Sequence, residues 1–175
     1  MALESLYTNP TNAAQPDVLH LSAAKASIDI AAYCLNHPAL ITALALAAAR
    51  GVRIRLYLDR TELEAMARGD ATLTRTPLYE LLNNGQIAIK VKASSVLMHL
   101  KSYVVDGALL RTGSANFTTE GEEPQDNDAV WTDDTGAVGR FQAKFEAMWA
   151  RPDNLSPQIA IQTGSSGIRH APHSH

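Results

Sequence analysis

Four side chains that could carry out chemistry together occur within eighteen residues near the middle of the chain. They are a histidine, a lysine, a hydroxyl and an amide, namely His99, Lys101, Ser114 and Asn116. The first two lie in a run, 98–105, whose valines and tyrosine predict a β-strand. Because alternate residues of a strand point to the same face, the imidazole and the ammonium group should share one surface.

A tight turn should bring the two halves of this set together. Asp106-Gly107 separates two apolar runs, which is a strong short-range signal for a β-hairpin. The returning strand, 108–114, is about as long as the outgoing one and would carry Ser114 and Asn116 back beside the histidine and the lysine. Gly113 has no side chain, so a bulky ligand could approach the backbone there.

These residue types suit the chemistry of phosphate esters. A lysine supplies a point charge for a phosphate oxygen, and a hydroxyl and an amide can donate further hydrogen bonds. A neutral imidazole can attack phosphorus directly and form a covalent phosphohistidine. No cluster of cysteines or carboxylates lies nearby in the sequence to suggest a metal site, so no cofactor is predicted, and the lysine, asparagine and serine would meet the transition-state charge.

The spacing of these residues resembles a known motif. His-x-Lys, four residues, Asp, six residues and Gly-Ser-x-Asn is similar to the HKD motif of the phospholipase D superfamily. The continuation Phe117-Thr118 also resembles that family, as does the pattern of 28–33 and 47–52, and the resemblance covers roughly residues 5 to 150. The six motif positions are His99, Lys101, Asp106, Gly113, Ser114 and Asn116.

The resemblance implies a fold, an activity and an assembly. Members with two motifs place them face to face in one chain, whereas this chain has one motif and too little length for a second. It would therefore act as a homodimer in which the two copies of His99 meet across a two-fold axis. One imidazole would attack phosphorus, and the other would protonate the leaving oxygen.

One position departs from the family pattern. Single-motif nucleases of this family usually carry a glutamate that orients the histidine, eleven residues beyond the asparagine of the motif. That position is Asn127 here, and the acid Asp128 follows it. Either Asn127 fills the role with a neutral hydrogen bond, or a shift of one residue presents Asp126 or Asp128. A neutral partner would not favour an imidazolium as a carboxylate does.

Several motif residues also have simpler interpretations. Asp106 precedes a glycine in a turn, which favours a structural role over direct chemistry. Ser114 and Asn116 could be turn residues, but phosphate contact is favoured for both, more strongly for Asn116. Four cations on strand faces are either solvated or line a substrate groove, and the sequence leaves this open. They are Arg53, Arg55, Lys90 and Lys92.

Composition limits the possible classes of protein. Of the 175 residues, 46% are apolar and 19% are charged, which is typical of a globular domain. The net charge of −3 excludes a global basic field, so nucleic-acid binding would need a local patch. The single Cys34 excludes an internal disulfide.

Apolar periodicity predicts an α/β fold, a mixed β-sheet with helices packed on both faces. The predicted domain is 1–151, and 152–175 lacks apolar periodicity, which predicts a mostly disordered tail. Predicted strands are 5–8, 27–35, 52–59, 86–93, 98–105, 108–114 and 127–132. Predicted helices are 15–25, 38–50, 61–68, 76–83 and 135–151.

Because no targeting signal is visible in the sequence, we expect a cytoplasmic protein. Residues 1–5 do not resemble the start of a signal peptide, although a secreted form whose leader was removed is also consistent with them. The longest apolar run, 39–49, is too short to span a bilayer, and no lipid-anchoring segment is visible, so no stable membrane association is expected.

The sequence therefore favours a metal-independent phosphodiesterase, an endonuclease acting on DNA or RNA. A phospholipase D acting on phosphatidyl head groups would use the same chemistry, and the motif does not separate the two. The departure at Asn127 and the net charge of −3 leave a weakly active nucleic-acid-binding module as a third possibility.

Overall fold

A computed structural model describes residues 3–68 and 73–166. In this part of the chain, seven strands form one sheet and seven helices pack around it. The strands are β1 (Leu3–Tyr7), β2 (Ser27–Ala32), β3 (Arg53–Leu58), β4 (Ile87–Val91), β5 (Lys101–Val105), β6 (Leu109–Gly113) and β7 (Asp128–Thr132). The helices are α1 (Ala14–Ala23), α2 (Pro38–Ala49), α3 (Arg60–Ala67), α4 (Leu78–Leu82), α5 (Thr119–Glu122), α6 (Thr135–Trp149) and α7 (Pro157–Ser166).

The sheet is mixed, with the strand order β1-β7-β6-β5-β2-β3-β4. β2, β3 and β4 run parallel to one another, and all other neighbours are antiparallel. Parallel neighbours need crossover connections, which α2 supplies between β2 and β3, and α3 with α4 between β3 and β4. The prediction of a mixed sheet with helices on both faces is confirmed.

Apolar side chains fill both faces of the central strand β2. Ile28 and Ile30 pack into the core shared with α1 and α2, whereas Ala31 packs into the core shared with α6. A strand covered on both faces needs apolar residues at successive positions, and the predicted strand 27–35 begins at the same residue as β2. Within residues 3–68 and 73–166, no helix combines the length and apolar character needed to cross a bilayer.

The hairpin between β5 and β6 has the predicted turn. Asp106 and Gly107 both adopt positive φ, 52° and 64°, and Ala108 N–H donates to the Val105 carbonyl at 3.0 Å. The predicted start of the strand at residue 98 is wrong, since β5 begins at Lys101. The backbone N–H of Met98 donates instead to the Asp59 carboxylate at 2.7 Å, so this segment is fixed by a side chain.

The predicted disorder of 152–175 is wrong for the residues of this segment that the structure describes. Leu155 exchanges two backbone hydrogen bonds with Val91, both 2.9 Å long, and thereby covers the outer edge of β4. α7 follows and buries Ala160 completely. The outer edge of an edge strand has unpaired N–H and C=O groups that can hydrogen-bond to another segment. Apolar periodicity does not reveal such backbone pairing. Residues 167–175 lie outside the described part of the chain.

The C-terminal segment should therefore contribute to stability. Truncation after Arg151 removes the cover of β4 and the burial of Leu155 and Ala160, at a cost of about 2–3 kcal/mol. For a chain of this size, that loss should lower Tm by roughly 5–10 °C, measured by differential scanning calorimetry. Truncation after Ser166 keeps these contacts and serves as the control. Equal melting of both truncated proteins and the full chain would contradict the assignment.

Candidate active site

Lys101 opens β5 and has a buried side chain beside an aromatic ring. Its Nζ donates to the His99 carbonyl at 2.9 Å and lies 4.5 Å from the centroid of the Tyr33 ring. Burial lowers the pKa of the Lys101 ammonium, and the negative charges of Glu62 and Asp59 partly oppose this effect. The ammonium group is therefore held between a backbone carbonyl oxygen and the face of an aromatic ring.

His99 lies just before β5 and is exposed. Its ring packs against Tyr33, the same residue that contacts Lys101, with ring centroids 4.4 Å apart and planes tilted by 59°. The backbone N–H of Tyr33 also donates to the Leu100 carbonyl at 2.8 Å. One tyrosine ring thus contacts both the imidazole and the lysine, and the prediction that the two share one surface fits this arrangement.

Sequence reasoning missed this role of Tyr33 and that of its partner Glu62. The Tyr33 hydroxyl donates to Glu62 Oε1 at 2.7 Å, and this bond raises the pKa of the tyrosine to about 12. Glu62 belongs to α3, whereas Tyr33 follows β2, so no local pattern joins them. The only available signal was a tyrosine with a polar end directly after a buried strand.

Asp59 fixes both α3 and the residue before the histidine. Its carboxylate caps α3 by accepting from the N–H groups of Thr61 and Glu62 at 2.8 and 3.2 Å. Its second oxygen accepts from Met98 at 2.7 Å. A carboxylate at the start of a helix follows ordinary capping preferences, whereas the bond to Met98 joins positions 39 residues apart and follows from no local pattern.

Ser114 forms a reciprocal pair of hydrogen bonds with Asp128. Ser114 N–H donates to Asp128 Oδ1, and Asp128 N–H donates to Ser114 Oγ, each at 2.9 Å. Hydrogen bonding by Ser114 lowers the pKa of Asp128 against the opposing effect of burial. Gly113 adopts a φ of +146°, and a Cβ there would overlap the Asp128 carbonyl. The glycine is therefore required by the close approach of β7, and the approach of a ligand to its backbone stays a prediction.

Asn116 presents an amide whose oxygen is buried without a partner among the described residues. The Cα of Gly121 lies so close to the Asn116 backbone that a Cβ would come within 2.5 Å of its carbonyl oxygen. The asparagine is thus tightly held while its amide oxygen stays unbonded. A buried polar atom without a partner costs free energy, and such atoms concentrate at functional sites.

Asp106 lies at the opposite end of β5 from Lys101, so the structure does not bring it to the histidine. Its carboxylate accepts from the N–H groups of Lys25, Ala26 and Ser27 at 2.8–3.0 Å. Burial alone would raise the pKa of Asp106, but these three bonds outweigh it and lower the pKa. The aspartate of the motif therefore fastens the hairpin turn to the segment that enters β2.

Asn127 and Asp128 make their side-chain contacts away from the imidazole. Asn127 Nδ2 donates to the Gly121 carbonyl at 3.1 Å and to Gln125 Oε1 at 3.3 Å, and Asp128 is engaged with Ser114. The neighbouring Asp126 accepts from Asn9 at 2.9 Å. The role of orienting His99, predicted for one of these three residues, stays a prediction.

The strand-face cations divide between internal contacts and an open cavity. Arg55 pairs with Asp29 at 2.7 Å and with Glu146 at 2.5 Å, while Lys90 lies 4.9 Å from the Trp149 ring centroid and donates to its carbonyl. The Arg53 guanidinium is half exposed and 3.3 Å from Asp29. Lys92 differs from these three because it lines a cavity beside His99.

A fully buried guanidinium connects the ends of the two motif strands. Arg111 of β6 donates through Nη1 to the carbonyls of Lys101 and Ala115, at 2.8 and 3.0 Å. Its other nitrogens meet Asp17 Oδ2 at 3.2 Å and Glu122 Oε1 at 2.9 Å. The lysine backbone and the loop that carries the asparagine are therefore fixed to a single side chain that sequence reasoning did not single out.

Two buried carboxyls surround this one cation. Burial raises the pKa of Glu122 to about 8, and the nearby Asp17 adds to the rise while Arg111 opposes it. Burial also raises the pKa of Asp17. Tyr103 and Trp131 donate to Asp17 Oδ1 at 2.8 and 2.9 Å, which satisfies this one oxygen of the aspartate. Burial thus favours the neutral form of both carboxyls, and the charge of Arg111 opposes it for each.

A mixed sheet that carries this motif at the adjoining ends of two antiparallel strands is the arrangement expected of a phospholipase D-like domain. Comparison with known sequences agrees: residues 18–149 match the family described as "Cardiolipin synthase, PLD-like domain". The chain belongs to this family, within the phospholipase D superfamily. The resemblance drawn from the motif is confirmed.

Two related proteins have moderate sequence identity to this chain. The mitochondrial cardiolipin hydrolase of Xenopus tropicalis is 30% identical over 139 residues, which cover 79% of this chain and 62% of that protein. A phospholipase D of Rickettsia prowazekii is 26% identical over 132 residues, covering 75% of this chain and 60% of that protein. The matched region thus spans about 60% of the length of each of these relatives.

Solved structures share the fold. Nuc, a phospholipase D family member from Salmonella typhimurium, has a TM-score of 0.72 at 22% identity, covering 88% of this chain and 97% of that one. NucT from Helicobacter pylori has a TM-score of 0.68 at 18% identity, covering 84% and 96%.

The raised pKa of Glu122 predicts a pH-dependent stability. Its folded pKa of about 8 lies above the ordinary value of 4.5, so its contribution is full below pH 4.5 and is lost as the pH rises through 8. Glu122→Gln keeps a neutral group at this place. Each unit of pKa shift corresponds to about 1.4 kcal/mol, so the variant should melt several degrees higher than the wild type at pH 9.

The measurement is Tm between pH 6 and pH 9 by circular dichroism. Glu120→Gln alters an exposed acid of the same helix and should follow the wild-type profile. A Glu122→Gln protein whose Tm falls with pH as steeply as that of the wild type would show that Glu122 carries no proton in the folded state.

Proposed function

We propose that this protein is a metal-independent phosphodiesterase that cleaves nucleic-acid strands through a phosphohistidine. The observation that carries the proposal is the exposed His99 ring and the buried Lys101 ammonium on one Tyr33 ring, at 4.4 and 4.5 Å. A nucleophile and a cation that contact the same aromatic ring lie on one surface, where both can meet a single tetrahedral phosphate. The family membership of the chain supports the same class of reaction.

The reaction would run in two displacements. An imidazole nitrogen of His99 forms a bond to phosphorus, and the bond from phosphorus to the leaving oxygen breaks as that oxygen receives a proton from an acid. Water then attacks phosphorus, the nitrogen–phosphorus bond breaks, and the former acid accepts the proton of the water. Lys101 and the Asn116 amide would stabilise the charge on the remaining phosphate oxygens.

The acid would come from a second copy of the chain. His99 is the one histidine of the motif, and as an exposed residue at the end of a strand it can face its counterpart across a two-fold axis. A homodimer would thereby supply the two imidazoles that the two displacements need.

A phospholipid substrate is the second candidate, and two observations favour it. The relatives found by sequence are a cardiolipin hydrolase and a phospholipase D. In addition, the loop before His99 exposes apolar side chains, with Val96 71% and Leu97 46% accessible. Apolar groups beside a phosphodiesterase site could contact acyl chains at a lipid surface.

The test digests DNA, RNA and phospholipid vesicles in excess EDTA with wild type, His99→Ala and Lys101→Ala. Wild type should cleave nucleic acid in EDTA. His99→Ala should lose cleavage but keep binding, because the phosphate donors remain, whereas Lys101→Ala should lose both rate and affinity. Acid-labile phosphate should be trapped on wild type alone. Activity abolished by EDTA and restored by magnesium would refute the mechanism, and release of head groups without nucleic-acid cleavage would select the phospholipase.

Pairing of two sites predicts a distinctive mixing result. The active species should sediment at about twice the 18.9 kDa chain mass. When wild type and His99→Ala are unfolded and refolded together in equal amounts, only about a quarter of the dimers carry two histidines, so activity should fall to about half of that of the same wild type refolded alone with inert protein. Equal activity in both samples, or an active species of single-chain mass, would rule out a shared site.

A further inference from the structure

A small basic cavity of about 120 Å³ adjoins the exposed histidine. Its walls come from the loop that precedes β5, from the residue after β4 and from the end of α6, and His99 forms one side. Lys144, Met148 and Arg151 stand at spacings of four and three, so they share one face of this helix and its C-terminal end. Drug-sized ligands need cavities of roughly 300 Å³ or more, so this one suits a single small group.

Three cations and no acid line this cavity, among the described residues. Lys92 is occupied, because its Nζ donates to the carbonyls of Val96 and Leu97 and so holds the loop in place. Arg151 is partly occupied by the Tyr57 hydroxyl, 3.2 Å from Nη1. Lys144 is exposed and lies in the described segment 73–166 without an ion pair there.

We propose that this cavity is a second phosphate subsite, in which Lys144 and Arg151 bind the phosphate that adjoins the scissile one in a nucleic-acid strand. The inference rests on the proposed function and deepens it by naming what the substrate must carry. A strand places its phosphates at a regular short spacing, so a phosphate attacked by His99 has a neighbour on either side.

The shape of the cavity favours a nucleic acid over a lipid. The cavity is too small for an acyl chain, and its apolar floor, Met98 and Met148, is buried. Three cations line it, which match a phosphate oxygen and not a hydrocarbon. Leu97 also lines the cavity, whereas Val96, the more exposed apolar residue of this loop, does not.

Binding tests the subsite without relying on turnover. In a His99→Ala background, the affinity for a fluorescein-labelled single-stranded DNA is measured by anisotropy at several salt concentrations. Adding Lys144→Ala should reduce the magnitude of the salt slope by about 0.7, the value for one lost phosphate contact on a single strand. Lys25→Ala removes an exposed cation beside Asp106, at the far end of β5, and should leave the slope unchanged.

Turnover then separates the subsite from the scissile position. For a dinucleotide with a terminal phosphate, Lys144→Ala should raise KM about tenfold with kcat unchanged. For the same dinucleotide without that phosphate, and for bis(p-nitrophenyl) phosphate, KM should not change. Because Lys144 makes no ion pair within 73–166, the variant should melt like wild type, which distinguishes a lost contact from a lost fold.

The two proposals fail in different ways. A salt slope that adding Lys144→Ala leaves unchanged overturns the subsite, even if wild type cleaves DNA. Wild type that hydrolyses none of the substrates overturns the proposed function, while a reduced slope would still support the phosphate contact. Lys144→Ala could instead leave the salt slope for DNA unchanged and raise KM for cardiolipin but not for phosphatidylglycerol. That result would assign the second phosphate to a lipid and overturn the nucleic-acid assignment.

Discussion

The buried guanidinium of Arg111 is the interaction on which the rest of the site depends. A cation in an apolar interior is tolerated only when acceptors surround it, and here they come from α1, β5, α5 and the loop after β6. Two of those acceptors are the carbonyls of Lys101 and Ala115. Arg111 thereby fixes the position of β5, which carries Lys101, relative to the loop that carries Asn116. Its own side chain is fully buried. The second carboxyl, Glu122, is accommodated because burial favours its neutral form.

The motif residues divide into two sets with different physical tasks. Asp106 and Gly113 serve the backbone, one by fastening the turn and the other by allowing β7 to approach, and the Ser114 hydroxyl pairs with the strand that follows. His99, Lys101 and Asn116 are left with groups that can meet a phosphate. Fixed spacing in the sequence therefore records a folding requirement as much as a chemical one, since the turn and the close approach determine where the reactive groups lie.

Local signals account for what the sequence could predict. The turn at Asp106-Gly107 and the strand β2 each follow from a few adjacent residues, and both were predicted. The network around Arg111 could not be, because Asp17 is 94 positions away and a lone arginine in a strand looks like a solvated residue. The cover of β4 by Leu155 was hidden for the same reason: edge pairing through two backbone hydrogen bonds needs no apolar repeat.

The net charge of −3 is a poor guide to the surface beside His99, and the structure shows why. Asp17 and Glu122 both pair with the buried Arg111, burial favours the neutral form of Glu122, and Asp29 pairs with arginines of β3. These acids count in the total but are paired or neutralised away from His99. The cavity next to that histidine is lined by cations without an acid among the described residues. Because fields near a surface are set by the closest unpaired charges and are screened within about 10 Å, a chain that is acidic overall can still present a local site for a polyanion.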